Sequence, residues 1–250
     1  MIDIASIHSR LNLEVMQGDH MFSGKNLKHY FYVGASALKV ISAVDILANN
    51  PRINTILDFA CGSGRVTRWL RAAFPAARIV ACDVRKDSLQ FVNKTFNAET
   101  WHSKEDIASL IPPTSFDLIW CGSLLTHLPE DKCAILMNKF SEWLTPGGIA
   151  IFTTHGRGVV SRCLDGSQKV LDHDIFNCVL ASQLQNGFGY ADYPGKKDIG
   201  LSLISLEWAE RQLYKIKGVR ILMAGECLWA NHQDVIAIQN RAISDYTHAY

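Results

Sequence analysis

A glycine-containing turn between two apolar runs constrains the fold of this chain more than any other feature. The first run, 56–59, is followed by Gly62 and Gly64, and the second run, 78–82, leads directly into Asp83. Glycines at such a turn let the backbone approach a ligand closely, and an acid at the end of the second run can bind two ribose hydroxyls. This order is typical of a βαβ nucleotide-binding unit.

Two details of the turn distinguish between cofactors. A dinucleotide-binding turn follows the pattern G-x-G-x-x-G/A, whose third small residue lets helix and strand pack closely. Thr67 occupies that third position here, and Asp58 precedes the first glycine of the turn, Gly62. A carboxylate at the tip of the first strand repels a pyrophosphate and attracts a cation such as a sulfonium amino acid. The sequence therefore favours S-adenosylmethionine over a nicotinamide cofactor.

Four segments in the central part of the chain resemble, in order and spacing, the motifs of class I S-adenosylmethionine-dependent methyltransferases. They are 58–64 (DFACGSG), 115–120 (SFDLIW), 124–128 (LLTHL) and 144–148 (LTPGG), the last of which precedes an apolar run, 149–152. The resemblance implies a Rossmann-like doubly wound α/β sheet that is mostly parallel with an antiparallel last strand. It also implies S-adenosylmethionine as cofactor and S-adenosylhomocysteine as product.

The resemblance assigns cofactor-binding roles along one edge of that sheet. The residues that it implies are Asp58, Ala60, Gly62 and Gly64 around the methionine end, Asp83 at the ribose, Val84 against the adenine ring, Asp106 or Ile107 near the adenine amine, and Cys121 after the fourth strand. Each has a structural alternative, because glycines also serve ordinary turns and aspartates also cap helices.

His127 and His155 are the candidate general bases. Each follows a predicted strand on the side where ligands bind in such sheets, and imidazole titrates near neutral pH. A structural histidine with satisfied hydrogen bonds is the alternative for both. A base is not indispensable, because positioning supplies effective molarities of roughly 10⁵–10⁸ M whereas a general base supplies roughly 10²–10⁴-fold.

Polar aromatic residues outside the motifs are candidates for the substrate side of the site. The predicted substrate-side residues are His29, Tyr30, Tyr32 and Tyr190, and His20 and Tyr193 belong to the same wider set. Each of them alone is more typical of a packing aromatic or of a surface residue.

The chain divides into an N-terminal segment and one larger domain. Residues 1–50 are predicted to form a helical cap segment, with a helix over 35–48 that Asn-Asn-Pro stops. Residues 51–250 are predicted to form the cofactor-binding domain. A segment rich in glycine at about 156–200 is predicted to be an insertion after strand 5 that covers the edge of the site, since long loops in compact domains are usually functional.

Strand-like and helix-like runs alternate through the core, which indicates a parallel sheet covered on both faces. The predicted strands are 55–59, 79–82, 118–121, 149–153, 220–224 and 234–239. The predicted helices are 66–73, 88–96, 132–143 and 206–216.

Charge and cysteine content exclude several classes of protein. The net charge is +1, without the concentrated basic face that nucleic acids or anionic membranes require, so neither is an expected partner. The 7 cysteines are scattered without C-x-x-C spacing, so no metal site is expected. The same pattern predicts that the protein is located in a reducing cytoplasm. Residues 1–5 lack a signal-peptide pattern, and no apolar run is expected to reach the ~20 residues of a membrane helix. A monomer and a homodimer stay equally open.

These observations predict a methyltransferase that acts on a small molecule. A hydroxyl is the first choice of acceptor and an amine the second, with sugars and secondary metabolites as candidate substrates. The alternative is a non-catalytic regulator or subunit that binds S-adenosylmethionine. A nicotinamide-dependent oxidoreductase is disfavoured by Asp58 and Thr67, and methylation of RNA or protein lacks a basic stripe.

Overall fold

A mixed sheet forms the centre of the protein. The computed structural model describes residues 7–22, 26–49 and 52–241, and within them the sheet has seven strands in the order β3-β2-β1-β4-β5-β9-β8. Its strands are β1 (Thr55–Phe59), β2 (Arg78–Asp83), β3 (Glu99–His102), β4 (Phe116–Cys121), β5 (Leu144–Thr154), β8 (Val219–Trp229) and β9 (Gln233–Asn240). A separate hairpin consists of β6 (Phe188–Asp192) and β7 (Gly200–Ile204).

Helices cover both faces of this sheet. They are α1 (Leu27–Ala48), α2 (Thr67–Ala73), α3 (Lys86–Phe96), α4 (Glu130–Trp143), α5 (Arg157–Leu164), α6 (His173–Asn186) and α7 (Leu206–Leu213). Short 3₁₀ turns lie at His8–Arg10, Ile107–Ser109 and Leu125–His127. Two apolar clusters, one on each face, form the core.

Strand directions confirm the predicted fold class. Strands β1 to β5 pair in parallel, whereas β9 runs antiparallel to both β5 and β8. Every strand predicted from the sequence is present. The edge strand β3 was not predicted, because its side chains are largely exposed and its four residues carry no apolar alternation.

The sheet order reverses between β1 and β4. Asp58 in β1 lies opposite Trp120 in β4, while β2 and β3 extend to one side and β5 to the other. In an open α/β sheet, ligands bind outside the carboxyl ends of the strands at this reversal. The topology therefore places the site beyond Asp58.

Helix α1 confirms the predicted N-terminal helix and extends it toward the N-terminus. The side chain of Asn26 accepts a hydrogen bond from the N–H of His29 at its start, and Asn49 ends it in a left-handed conformation. Residues 50–51 of the predicted stop lie outside the described part of the chain. The helix is long and apolar enough to cross a membrane by composition, contrary to the sequence expectation, but half of it is buried inside the protein as in a core helix.

The segment after β5 folds into two helices and the β6–β7 hairpin. Val159, Phe176 and Leu203 belong to a small apolar cluster of its own. Hydrogen bonds attach β7 to the main domain, among them those from the N–H of Ile204 to the carbonyl of His155 at 2.8 Å and from the hydroxyl of Ser202 to the carbonyl of Leu128 at 2.5 Å. The insertion therefore lies beside the carboxyl ends of β4 and β5.

Candidate functional site

Two adjoining cavities lie at the carboxyl ends of the central strands. One, the β2-side cavity, has a volume of about 410 Å³ and is lined by Phe59, Asp83, Val84, Ser103, Glu105 and Ile107 among others. The other, the β4-side cavity, has a volume of about 440 Å³ and is lined by Asp58, Arg65, Trp120, His127, His155, Tyr193, Trp229 and Gln233 among others. Ala60 and Leu124 belong to the walls of both, so one elongated ligand can extend from the first cavity into the second.

The glycine turn brings the backbone to the junction of these cavities. Gly62 and Gly64 have φ angles of +53° and +80°, in the left-handed region that favours glycine. A Cβ atom on Gly64 would lie 2.5 Å from a ring carbon of Phe96, whereas the space around Gly62 is open. Gly64 is therefore required for packing of the turn on α3, and Gly62 faces the β4-side cavity.

Asp83 is held by two backbone N–H groups. Its Oδ2 accepts a hydrogen bond from the N–H of Gly62 at 2.8 Å, and its Oδ1 accepts one from the N–H of Arg85 at 2.9 Å. Each carboxylate oxygen retains a second lone pair. Because the side chain lines the β2-side cavity, it is oriented to accept hydrogen bonds from ribose hydroxyls.

Asp58 is a buried acid that is hydrogen-bonded to Thr67. Only 2% of it is exposed, and the hydroxyl of Thr67 donates to its Oδ2 at 2.5 Å. Burial raises the pKa of Asp58 to about 7, the hydrogen bond from Thr67 lowers that pKa, and the nearby charge of Asp83 raises it. A cation bound in the β4-side cavity would favour the ionised carboxylate.

The adenine end of the site differs in part from the prediction. Val84 and Ile107 line the β2-side cavity as predicted. Asp106 is exposed and lines neither cavity, while its neighbours Glu105 and Ile107 do. Glu105, and not Asp106, is therefore the acid in this segment that lines the β2-side cavity.

Cys121 also lies away from both cavities. It is fully buried in the apolar cluster that contains Phe59 and Phe152. Successive side chains of a strand point to opposite faces, so the preceding Trp120 reaches the β4-side cavity and Cys121 does not. The residue after the strand that lines this cavity with a polar side chain is Ser123.

The protonation state of His127 follows from its hydrogen bonds. Its Nδ1 lies 3.0 Å from the carbonyl oxygen of Gly200 and 3.1 Å from the hydroxyl of Tyr193. A carbonyl oxygen only accepts, so Nδ1 carries the proton and the lone pair is on Nε2. Burial lowers the pKa of His127, which keeps the ring neutral at neutral pH.

His155 lies deeper in the same cavity. It is 5% exposed, and its ring centroid is 6.3 Å from that of His127 and 5.6 Å from that of His232. Burial, and then the two neighbouring imidazoles, lower the pKa of His155 to about 3. This histidine is therefore a neutral group with little affinity for a proton.

Gln233 joins the ends of three strands beside these histidines. Its Oε1 accepts from the hydroxyl of Thr153 at 2.5 Å, and its Nε2 donates to the hydroxyl oxygen of Ser123 at 2.7 Å. The same Nε2 lies 3.5 Å from Nε2 of His155. This network fixes the floor of the β4-side cavity.

The four predicted substrate-side residues lie outside both cavities. Tyr30 is buried and donates its hydroxyl proton to Asp19 at 2.7 Å, and burial raises the pKa of this tyrosine. His29 and Tyr32 are exposed on α1. Tyr190 lines a separate open groove next to α4 and α7. None of these four residues lines either cavity.

Other residues supply that wall instead. His20 and Tyr193, from the wider set of aromatic candidates, line the β4-side cavity. Arg65 and Trp229 also line it, and neither was predicted. The only sequence signal for Arg65 is its position directly after the glycine turn.

A family comparison agrees with this geometry. Residues 56–148 match the family model described as a methyltransferase domain, and this range contains Asp58, the glycine turn and Asp83. Residues 56–148 of the chain are thus similar to a methyltransferase domain. The match ends before the insertion, so the family model does not extend to Tyr193 or Gln233.

Curated relatives match only part of the length of this chain. It is 29% identical over 107 residues to malonyl-[acyl-carrier protein] O-methyltransferase of Halalkalibacterium halodurans, covering 40% of this chain and 39% of that one. It is 31% identical over 108 residues to trans-aconitate 2-methyltransferase of Methylobacterium nodulans, covering 42% of this chain and 41% of that one. The chain thus spans about two fifths of the length of these curated relatives.

A solved structure shows the same fold over a longer stretch. The S-adenosylmethionine-dependent methyltransferase from Clostridium acetobutylicum superimposes with a TM-score of 0.58 at 17% identity, covering 84% of this chain and 92% of that one. At this identity the likeness concerns the fold alone.

The residues that line the two cavities fit S-adenosylmethionine. Val84 and Ile107 offer an apolar wall for adenine, and Asp83 offers acceptors for the ribose. Asp58 offers a carboxylate for the ammonium group in the adjoining cavity. The groups for adenine and ribose thus lie in the β2-side cavity and the group for the ammonium lies in the β4-side cavity, with Ala60 in the wall of both.

Proposed function

We propose that this protein transfers the methyl group of S-adenosylmethionine to a hydroxyl group of a small molecule and releases S-adenosylhomocysteine. When bound, the sulfonium supplies an activated methyl group. The acceptor oxygen forms the new bond to the methyl carbon, the carbon–sulfur bond breaks with its electron pair staying on sulfur, and the hydroxyl proton goes to a base on the protein.

The geometry of His127 carries this proposal. Its Nδ1–H is bonded to the carbonyl of Gly200, so Nε2 presents a lone pair in the wall of the β4-side cavity. A neutral imidazole with a lone pair on Nε2 can accept the proton of the acceptor hydroxyl directly. His155 is the weaker base because its pKa lies at about 3.

The walls of the β4-side cavity support a small acceptor. Trp120 and Trp229 form an aromatic pair with ring centroids 5.4 Å apart on one side, and Tyr193 closes the side of the insertion. Such a wall suits a compact ligand with apolar carbon atoms and few polar groups. The name of the relative from H. halodurans, an O-methyltransferase, also favours an oxygen acceptor.

A screen with labelled cofactor tests the proposal. The protein would be incubated with S-adenosylmethionine carrying a labelled methyl group and with panels of small hydroxyl compounds and small amines. We expect labelled products among the hydroxyl compounds. Label on amines alone would replace the hydroxyl assignment, and tight binding of S-adenosylhomocysteine without any labelled product would favour a non-catalytic binding protein.

Two histidine variants identify the base. His127→Gln is expected to lower turnover by roughly 10²-fold or more with little change in S-adenosylhomocysteine affinity, as for loss of a general base. His173→Gln, at an exposed position on α6, is the matched control and should leave turnover unchanged. An equal loss in turnover and in cofactor affinity would give His127 a structural role instead.

A further inference from the structure

An arginine with no hydrogen-bond partner among the described residues lies in the wall of the β4-side cavity. Arg65 follows the glycine turn, and its guanidinium carbon is 5.7 Å from the ring centroid of Trp229. Within the described parts of the chain, its side chain forms no hydrogen bond and no ion pair. Burial lowers the pKa of Arg65. Arg65 is half-buried in the cavity wall, and its guanidinium offers five N–H donors to a ligand there.

Neighbouring arginines differ from Arg65 in this respect. Arg68 donates to the carbonyl oxygens of Asn12 and Glu14, at 3.1 and 2.8 Å. Arg71 donates to the carbonyl oxygen of Ala77 at 2.8 Å, among others. These two side chains bind backbone carbonyl groups, whereas the side chain of Arg65 forms no hydrogen bond to the part of the chain that the structure describes.

The acids near Arg65 do not satisfy it. Asp19 is close enough to raise the pKa of Arg65, but its oxygens accept hydrogen bonds from the hydroxyl of Tyr30 at 2.7 Å and the N–H of Met21 at 2.9 Å, and it forms no ion pair with Arg65 among the described residues. Asp58 is bonded to Thr67 and forms no ion pair with Arg65 among the described residues. The lining of the β4-side cavity thus includes the carboxylate of Asp58 and the guanidinium of Arg65, which form no ion pair with each other among the described residues, an arrangement that suits a zwitterion.

We propose that Arg65 binds the carboxylate of the amino-acid end of S-adenosylmethionine, opposite Asp58 at its ammonium group. With the ribose at Asp83, the rest of the molecule extends past Ala60, which lines both cavities, into the cavity of Arg65. A planar guanidinium forms paired hydrogen bonds with a carboxylate. Trp229 supports the flat face of the guanidinium. This inference rests on the proposed use of the cofactor.

Calorimetric titration with two ligands tests the inference. S-adenosylhomocysteine carries the amino-acid end, and 5′-methylthioadenosine lacks it. We expect Arg65→Met to weaken binding of S-adenosylhomocysteine by about tenfold or more, the size of a charged hydrogen-bond pair, while binding of 5′-methylthioadenosine changes by less than about twofold. Arg78→Met is the matched control, because it removes the same charge from an exposed pair with Glu99, and should change neither affinity.

Equal loss of affinity for both ligands, or no loss for either, would overturn the role of Arg65. The second of these results would point to an anionic acceptor as its partner. Absence of binding of either ligand to the wild-type protein would instead overturn the proposed function together with this inference. If Arg65→Met does not fold, the wild-type protein and Arg65→Lys can be compared with the decarboxylated analogue 5′-(3-aminopropylthio)-5′-deoxyadenosine. A wild-type preference for S-adenosylhomocysteine below about twofold would also reject the inference.

Discussion

The hydroxyl group of Thr67 donates a 2.5 Å hydrogen bond to the buried carboxylate of Asp58. The bond joins the first residue of α2 to strand β1 across the glycine turn. In a dinucleotide-binding turn this position holds a small residue that allows close packing of helix and strand. In this protein a hydroxyl occupies it, and its hydrogen bond lowers the pKa of Asp58. The same residue thus disfavours a dinucleotide and supports a cationic ligand.

Replacement of Thr67 by valine should weaken cofactor binding through Asp58. The hydrogen bond from Thr67 lowers the pKa of this acid, so its loss raises that pKa and leaves less carboxylate at pH 7. We expect Thr67→Val to weaken S-adenosylhomocysteine binding several-fold at pH 7 and less at higher pH, and Thr67→Ser to bind like the wild type. Calorimetry at two pH values measures this. Equal affinities of the valine and serine variants at pH 7 would contradict it.

Cofactor affinity should depend on pH near neutrality. The pKa of Asp58 is about 7, so below this pH the acid becomes neutral and no longer attracts an ammonium group. We expect the affinity for S-adenosylhomocysteine to fall by up to about tenfold per pH unit below pH 7 and to be level above it. Titrations across this range test the prediction, and a level profile down to acidic pH would refute it.

Asp58→Asn should stabilise the unliganded protein at alkaline pH. The pKa of Asp58 is raised from 3.8 to about 7, so the folded state holds a proton that the unfolded state has lost. The stability from this difference is present below pH 3.8 and is lost as the pH rises through 7. We expect the variant to melt a few degrees higher than the wild type at pH 8, with a much smaller gain near pH 4. If Asp58→Asn melts at a lower temperature than the wild type at pH 8, the ionised carboxylate of Asp58 does not destabilise the unliganded protein.

The cofactor half of the site could be predicted because local spacing determines it. Asp58, Gly62 and Asp83 all belong to one βαβ unit, in which strand, turn and helix bring them together whatever the rest of the chain does. Spacing alone could not choose between Asp106 and Ile107, because the short turn at Ile107–Ser109 decides which side chains face the cavity and has no periodic pattern.

The acceptor half depended on packing that the sequence does not display. Tyr30 and Tyr190 are polar aromatics like Tyr193, yet Tyr193 alone of the three reaches the β4-side cavity. Which side of α1 faces the core, and how the β6–β7 hairpin docks against His127, follow from contacts between segments distant in sequence. Arg65 was not predicted because the sequence cannot show that its side chain lines the β4-side cavity without a hydrogen bond to any described residue.

Asp83 and Asp106 form a matched pair of acids. Asp83→Ala removes the ribose acceptors and the bond to the N–H of Gly62, so we expect at least about tenfold weaker binding of S-adenosylhomocysteine with the fold retained. Asp106→Ala removes an exposed carboxylate that lines neither cavity and should change the affinity by less than about twofold. Calorimetry on both variants decides between them, and a larger effect at Asp106 would reverse the assignment of the two acids.

The two glycines of the turn should differ in their tolerance of alanine. A Cβ at Gly64 would meet the ring of the buried Phe96 at 2.5 Å, so Gly64→Ala forces α3 or the turn to move. At Gly62 the space is open, and Ala60 shows that alanine adopts a left-handed conformation in this same turn, with φ +59°. We expect Gly62→Ala to cost about 1 kcal/mol and roughly 2–4 °C in melting temperature, and Gly64→Ala to cost at least twice as much. Thermal unfolding of both variants measures the difference. Equal losses would mean that backbone conformation, and not the contact with Phe96, determines the requirement for glycine at position 64.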